Sequence, residues 1–259
     1  MSEFKEITSK ENSLIKLTSE LQNSSKKRHE TGLFVLEGLR ICNDAFDNGI
    51  RFDKLIVSRT AMEKYKSKIS DFSSVSAECY LLPDSLFKKI SETDSPQGII
   101  VLAEKPETKK LDFCCGRFVG LENLQDPSNL GAIARSCEAL GAHGILISKN
   151  SCDPFSPKSL RASMGTLLRI PVIILDNFAN DIKKAGLKSF ACVVDSNALP
   201  IDKAQFCDGS IVLIGNEANG LTDDTVNASD FKITIPMNGT AESLNASVAA
   251  AIAVWEMMK

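Results

Sequence analysis

Three separated segments hold most of the residues whose types and spacing could do chemistry. In the first, Asp126-Pro127-Ser128-Asn129-Leu130-Gly131 leads on to Arg135. A strand ending near Asn123 is turned by Asp126-Pro127, and Ser128 or Asn129 is expected to cap an alanine-rich helix. Arg135 then falls on the second turn. Helical spacing sets it beside Gly131 and Ala132, whose small side chains leave room for a bulky partner such as a phosphate. A surface arginine on an amphipathic helix would have the same spacing.

The second segment runs from apolar Ile211-Val212-Leu213-Ile214 into the polar loop Gly215-Asn216-Glu217-Ala218-Asn219-Gly220 and Leu221. In open parallel sheets, ligands bind beyond the carboxyl ends of the strands. Gly215 would let main-chain groups approach a ligand closely, and Gly220 would supply left-handed backbone before helix resumes at Leu221. A plain strand-to-helix turn fits the same residues. In the third segment, Pro236 ends a strand through Ile235, Asn238-Gly239 turns the chain, and an alanine-rich helix opens at about Ser243. Ser243, Asn245 and Ser247 either cap that helix or point into a site at its N-terminus. Val248, Ile252 and Trp255 give it a face suited to a helix–helix or subunit contact.

The elements that must position these segments alternate between helix and strand, which places the chain in the α/β class. A helix is predicted over residues 9–29, followed by strands at 33–36 and 54–57, helices at 40–46 and 61–69, a strand at 79–82, a helix at 84–90 and a strand at 98–103. This small α/β domain ends at 104. The charged, proline-containing stretch 105–112 reads as a linker, and 113–259 forms a second domain. Its predicted strands are 117–121, 144–147, 172–175, 191–194, 211–214 and 231–235. Their near-continuous apolar character calls for a parallel sheet covered by helices on both faces.

With 259 residues and 43% hydrophobic content, packed cores are affordable and disorder is not the default. No apolar run reaches the roughly 18 residues of a membrane span, and Met1-Ser2-Glu3-Phe4-Lys5 has neither a basic nor an apolar leader region, so a soluble cytoplasmic protein is expected. The 8 cysteines include no C-x-x-C pair, and His29 and His143 stand apart, which argues for reduced thiols and no metal. The net charge of -3 carries no global signature for nucleic acid. Contacts to phosphates would have to come from local patches: Lys26-Lys27-Arg28 and Lys88-Lys89, if these are more than solvated helix faces. The glycine-rich dinucleotide fingerprint and the Walker motif are both missing.

Taken in order, the three segments resemble the three motifs of the SpoU, or TrmH, branch of the SPOUT RNA methyltransferases. The stretch Phe34-Val35-Leu36-Glu37-Gly38-Leu39-Arg40, followed by Ala45, resembles the RNA substrate-binding domain of that family. The resemblance implies S-adenosylmethionine-dependent methylation of ribose 2′-hydroxyls on structured RNA, with ribosomal RNA favoured over tRNA. A non-catalytic RNA-binding ribosome-assembly factor retaining the fold is the alternative. It also implies a carboxyl-terminal trefoil knot and a homodimer formed through the knot and the last helix. The cofactor would lie against Leu213, Gly215, Asn216, Ile235, Met237 and Leu244. Arg135 matches the catalytic arginine of the family, with Asn129, Glu217, Ser243 and Asn245 around the reaction centre. Because a guanidinium holds its proton too tightly to give it up near neutrality, Arg135 reads better as a phosphate anchor and stabiliser of developing charge than as a base. RNA would be held by Lys26, Lys27, Arg28 and Arg40.

Overall fold

The structure, a computed structural model, describes residues 3–107 and 111–259. The chain divides into two compact units, Met1–Glu107 with Phe155–Leu160, and Thr108–Pro154 with Arg161–Lys259. Residues 108–110 of the expected linker lie outside the described residues.

Along the first part run β1 (Phe4–Glu6), α1 (Ser13–Asn23), α2 (Ser25–Thr31), β2 (Leu33–Glu37), α3 (Leu39–Asp47) and β3 (Phe52–Ser58). They are followed by α4 (Arg59–Lys64), α5 (Lys66–Val75), β4 (Ser76–Leu82), α6 (Asp84–Ile90) and β5 (Ile99–Glu104). The sheet has the order β1-β4-β3-β5-β2; β1, β4 and β3 are parallel, and β5 is antiparallel to both of its neighbours. Leu14, Ile15 and Leu21 of α1 share one core with Leu86, Phe87 and Ile90 of α6 and with Ile56 and Leu102 of the sheet. Fully burying a side chain such as Leu21 or Phe87 is worth about 1.5–3 kcal/mol. The single helix expected over 9–29 is broken at Ser24, whose extended backbone (φ -125°) lets its side chain accept from the Lys27 amide and cap α2. The helix expected at 61–69 is likewise divided at Tyr65.

Beyond residue 110 come β6 (Arg117–Leu121), α7 (Pro127–Leu140), β7 (Gly144–Ser148), α8 (Pro157–Ala162), β8 (Val172–Leu175) and α9 (Phe178–Lys184). The chain ends with β9 (Lys188–Cys192), β10 (Leu199–Pro200), β11 (Ser210–Ile214), α10 (Asp223–Ala228), β12 (Phe231–Thr234) and α11 (Ala246–Met258). The seven strands are all parallel, in the order β10-β12-β9-β11-β6-β7-β8. Central β11 and β7 are buried at every position, as strands covered on both faces must be. Helix α11 packs on α7, β11 and β6. The two short edge strands, β1 and β10, have no counterpart in the sequence reading.

Candidate active site

Helix α7 starts two to three residues earlier than the sequence suggested. Asp126, not Ser128 or Asn129, is the cap: its carboxylate accepts from the Ser128 amide at 2.8 Å, and Pro127 occupies the first turn, where its missing N–H costs nothing. Arg135 consequently lies on the third turn, and it is exposed. Gly131 leaves no room for a phosphate. A Cβ there would lie 2.5 Å from the Ala162 Cβ and 2.6 Å from the Ser163 nitrogen, so the glycine permits close packing of α7 on that segment.

The loop after β11 doubles back on itself. Asn216 and Gly220 exchange two backbone hydrogen bonds of 2.9 Å, and Gly220 takes the left-handed conformation with φ +68°. A Cβ on Gly215 would fall 2.0 Å from the Gly220 carbonyl carbon, so only glycine fits. The Asn216 side chain accepts from the Ala218 and Asn219 amides and donates to the Asn123 carbonyl at 2.8 Å, tying this loop to the one after β6. Helix resumes at Asp223, after Thr222 as the cap, rather than at Leu221.

This loop, the ends of β9 and β12, and the start of α11 enclose a cavity of about 410 Å³. Gly215, Asn216, Glu217, Ile235, Met237, Ser243 and Leu244 all line it. Leu213 does not: it is 1% exposed and packs in the core with Phe118, Phe178 and Leu187, because alternation along β11 turns it to the face covered by α9, opposite to Ile214. Sequence reasoning missed Cys192, Val193 and Val194, which form another part of the wall. The prediction ran the strand through 194, whereas β9 ends at Cys192 and the next two residues sit beyond its carboxyl end, where ligand sites form. Burial pushes the Cys192 thiol up to about 11, so this wall is uncharged near neutral pH.

A chain of side-chain hydrogen bonds joins the three segments. Glu217 accepts from the Gln125 and Asp126 amides at 3.1 and 3.0 Å and from Asn129 Nδ2 at 3.0 Å. Asn129, 7% exposed, accepts in turn from Asn245 Nδ2 at 3.1 Å. Asn245 caps α11 by accepting from the Ser247 and Val248 amides, and Ser243 therefore lies in the loop before the helix rather than at its start. Partial burial works to raise the Glu217 pKa, but the hydrogen bonds from Asn129 and the facing amides outweigh it and hold the carboxyl below its usual range. Arg135 is not among the hydrogen-bond partners of Glu217, which orients Asn129 and the 125–126 turn instead. A further residue missed in the sequence is Glu122. It is 5% exposed and accepts from the Thr222 amide and from the Thr222 and Thr225 hydroxyls at 2.6–2.8 Å, which pins the exit of the glycine loop.

The residues expected to hold RNA are differently placed. Lys26 and Lys27 pair with Glu30 and Glu20 at 3.8 and 2.9 Å, and Arg40 is exposed on the first turn of α3. Arg28 is a correction: it is 4% exposed, and its guanidinium donates to the carbonyls of Leu21 at 2.6 Å and Gln22 at 3.1 Å, closing the end of α1 rather than facing a ligand.

A parallel α/β unit with a cavity at its strand ends, walled in part by a glycine loop whose Glu217 is tied through Asn129 to Asn245, defines a ligand-binding α/β domain. A family model described as the SpoU rRNA Methylase family matches residues 116–255, and one described as an MRM3-like substrate binding domain matches 12–101. The chain belongs to the SpoU rRNA Methylase family. It is 28% identical, over 98% of its length and 99% of the relative's, to the 23S rRNA (guanosine(2553)-2′-O)-methyltransferase RlmP of Bacillus subtilis. It is also 28% identical, over 92% of its length and 87% of the relative's, to a 23S rRNA (uridine(2479)-2′-O)-methyltransferase of Streptomyces viridochromogenes. Among solved structures, the AdoMet-bound rRNA methyltransferase of Sinorhizobium meliloti superposes with a TM-score of 0.85 at 25% identity, covering 98% of this chain and 97% of the other.

Proposed function

We propose that the protein methylates ribose 2′-hydroxyls of ribosomal RNA, with S-adenosylmethionine as donor. The observation that carries the reading is the Glu217–Asn129–Asn245 chain, which ties together three segments far apart in sequence beside one cavity, with Glu217 in its wall. The cavity fits the donor: Val193, Ile214, Ile235 and Leu244 give apolar walls for a neutral base, and the glycine loop brings main chain to the surface. When bound, S-adenosylmethionine supplies an electrophilic methyl group.

The remaining chemistry falls to the residues of the chain. A ribose hydroxyl must lose its proton as it attacks. Glu217 is a poor base, because the same hydrogen bonds that lower its pKa occupy its oxygens; it serves as a positioning residue. Arg135, exposed on α7, anchors the neighbouring phosphate and stabilises developing negative charge, with the proton leaving through that phosphate or water. Asn129 and Asn245 hold the rim in shape, and Ser243 is placed to donate to ribose or phosphate.

The match of 12–101 to a substrate-binding domain supports assigning RNA recognition to the first unit and methyl transfer to the second. The relatives acting on 23S rRNA, which span nearly the same length, favour ribosomal RNA over tRNA. We read α11, whose Val248 and Trp255 are 47% and 55% exposed, as the seam of a homodimer, and the carboxyl-terminal segment as threaded into a trefoil knot. No helix among the described residues is long and apolar enough to cross a membrane, in keeping with action in the cytoplasm. The test is to incubate the purified protein with labelled S-adenosylmethionine and protein-free 23S and transfer RNA, then map ribose methylation by mass spectrometry. A single methylated ribose in 23S RNA is expected; no label in either RNA, from protein that binds the donor, would overturn the proposal.

A further inference from the structure

A second cavity, also of about 410 Å³, lies wholly within the first unit and is not explained by methyl transfer. It forms where β3 ends at Ser58, between α4, α6 and the segment 95–98. Its floor is tight: a Cβ on Gly98 would stand 2.4 Å from the Ser58 hydroxyl. Its rim carries Lys64 and Lys88, both exposed, and neither ammonium pairs with an acid among the described residues. This sets them apart from Lys5, Lys26, Lys27 and Lys54, which are all paired. Half-buried Tyr65 lines the same cavity, and Lys64 Nζ lies 5.2 Å from its ring centroid. Gln97 is fixed by accepting from the Leu39 amide at 2.7 Å, which leaves its NH₂ as a donor, and the Asp84 carboxylate, already accepting from the Thr60 amide at 3.2 Å and hydrogen-bonded to Ser58, offers its remaining lone pairs at the edge.

We propose that this cavity holds one unstacked nucleotide of the RNA substrate. An aromatic ring, two uncompensated cations and a fixed pair of polar groups make the set that such a nucleotide needs: stacking for the base, neutralisation for its phosphate, and hydrogen bonds for the base edge. Asp84 accepts only, so it favours a base edge rich in N–H donors and keeps the phosphate on the lysine side. The exposed rim suits a nucleotide whose chain continues outside, more than a free metabolite enclosed on all sides. A base inside a duplex cannot enter, so the segment recognised is a loop or bulge.

The inference rests on the reading of the protein as an RNA enzyme, and its test separates the two. Full-length protein is bound to a protein-free 23S rRNA transcript across a range of salt, and the ultraviolet cross-links are mapped by mass spectrometry. The Lys64→Ala/Lys88→Ala double variant is expected to bind about tenfold more weakly at moderate salt, with a log–log salt slope shallower by roughly 0.7 to 1.4 for one or two phosphate contacts. Tyr65→Ala is expected to lose at least about fivefold, and Tyr65→Phe to stay near the parent, since stacking needs the ring and not the hydroxyl. A cross-linked nucleotide on the Tyr65 peptide completes the expected result. Parental affinity and salt slope in the double variant, or guanosine 5′-monophosphate binding as tightly as the transcript, would overturn the assignment. Donor binding by calorimetry is expected to be the same in every variant; its absence from the parent protein would sink the methyltransferase reading instead.

Discussion

The most demanding consequence of the glycine loop is Gly215→Ala. The added methyl would sit 2.0 Å from the Gly220 carbonyl carbon, 2.1 Å from the Leu221 nitrogen and 2.3 Å from the Gly220 oxygen. All three atoms are backbone, so no rotamer change relieves the clash. Room can come only from opening the loop, which breaks the two Asn216–Gly220 hydrogen bonds of 2.9 Å. At about 1 kcal/mol net for each bond and about 1–3 kcal/mol for the overpacking, the closed loop is destabilised by roughly 3–5 kcal/mol. The loop is largely exposed between 217 and 220, so most of this cost appears as local opening and only part as global unfolding. Because the same loop walls the cavity, affinity for S-adenosylmethionine should fall by at least about 100-fold, as 1.4 kcal/mol is tenfold. The melting temperature should fall by only a few degrees. Isothermal calorimetry beside thermal melts reads both, with Gly239→Ala as the control, since nothing lies within 4 Å of a Cβ there. Donor affinity within threefold of the parent in Gly215→Ala would refute the reasoning from loop closure to binding.

Three further outcomes follow from the same geometry. Arg135→Ala should abolish methylation while leaving donor affinity unchanged, because the side chain is exposed on α7 and does not line the donor cavity; appreciable turnover in single-turnover assays would remove Arg135 from the mechanism. Glu217 has a folded pKa held below the unfolded value of about 4.3, so it adds stability above that value that is lost as pH falls through the folded pKa. The stability gap between parent and Glu217→Gln should therefore be full near neutrality and shrink below about pH 4, as acid melts can check; a gap that does not change with pH would contradict the assigned hydrogen bonds. Glu122→Leu strands the Thr222 amide and two hydroxyls beneath α10, which should cost about 2–4 kcal/mol and several degrees of melting temperature.

What could be read from the sequence, and what could not, divides by the range of the interactions. Strands β6, β8 and β11 were legible because unbroken apolar runs in a parallel sheet leave little else for the chain to do. Helix ends were less so. Asp126, Ser128 and Asn129 can each cap, and the choice fell to Asp126 because Pro127 suits the first helical position. The loop residues Gly215, Asn216 and Glu217 were found by type, but the side chains of Asn216 and Glu217 reach partners 88 to 93 residues away, and no local pattern encodes such distances. Arg28 shows the converse error: in Lys26-Lys27-Arg28 three cations look alike, and only the break at Ser24 turns the third inward to the carbonyls of α1. Glu122 and the Val193–Val194 wall gave no signal of type at all, and only their place at strand ends could have marked them.

The placement of the site is inherited from sheet register. Strand β11 pairs with β6 in parallel, with Ile214 opposite Leu121, and the ladder does not stop at the strand ends. The Glu122 amide donates to the Ile214 carbonyl at 2.9 Å, Asn216 then bonds the Asn123 carbonyl, and Glu217 takes the Gln125 and Asp126 amides before reaching Asn129. The two loops thus run side by side as a side-chain continuation of the sheet, stepping from the wall of the cavity onto the first turn of the helix that bears Arg135. A one-residue slip of β11 would reverse every inward side chain, and the buried faces of β6 and β9 forbid it. The distance between the donor cavity and the arginine is therefore set by the same core that sets the fold. Substitutions that loosen the loop after β11 break the Glu217–Asn129 link while α7, held by α11 and its own buried face, stays in place; they are therefore expected to lower turnover even at saturating donor, as single-turnover assays can check.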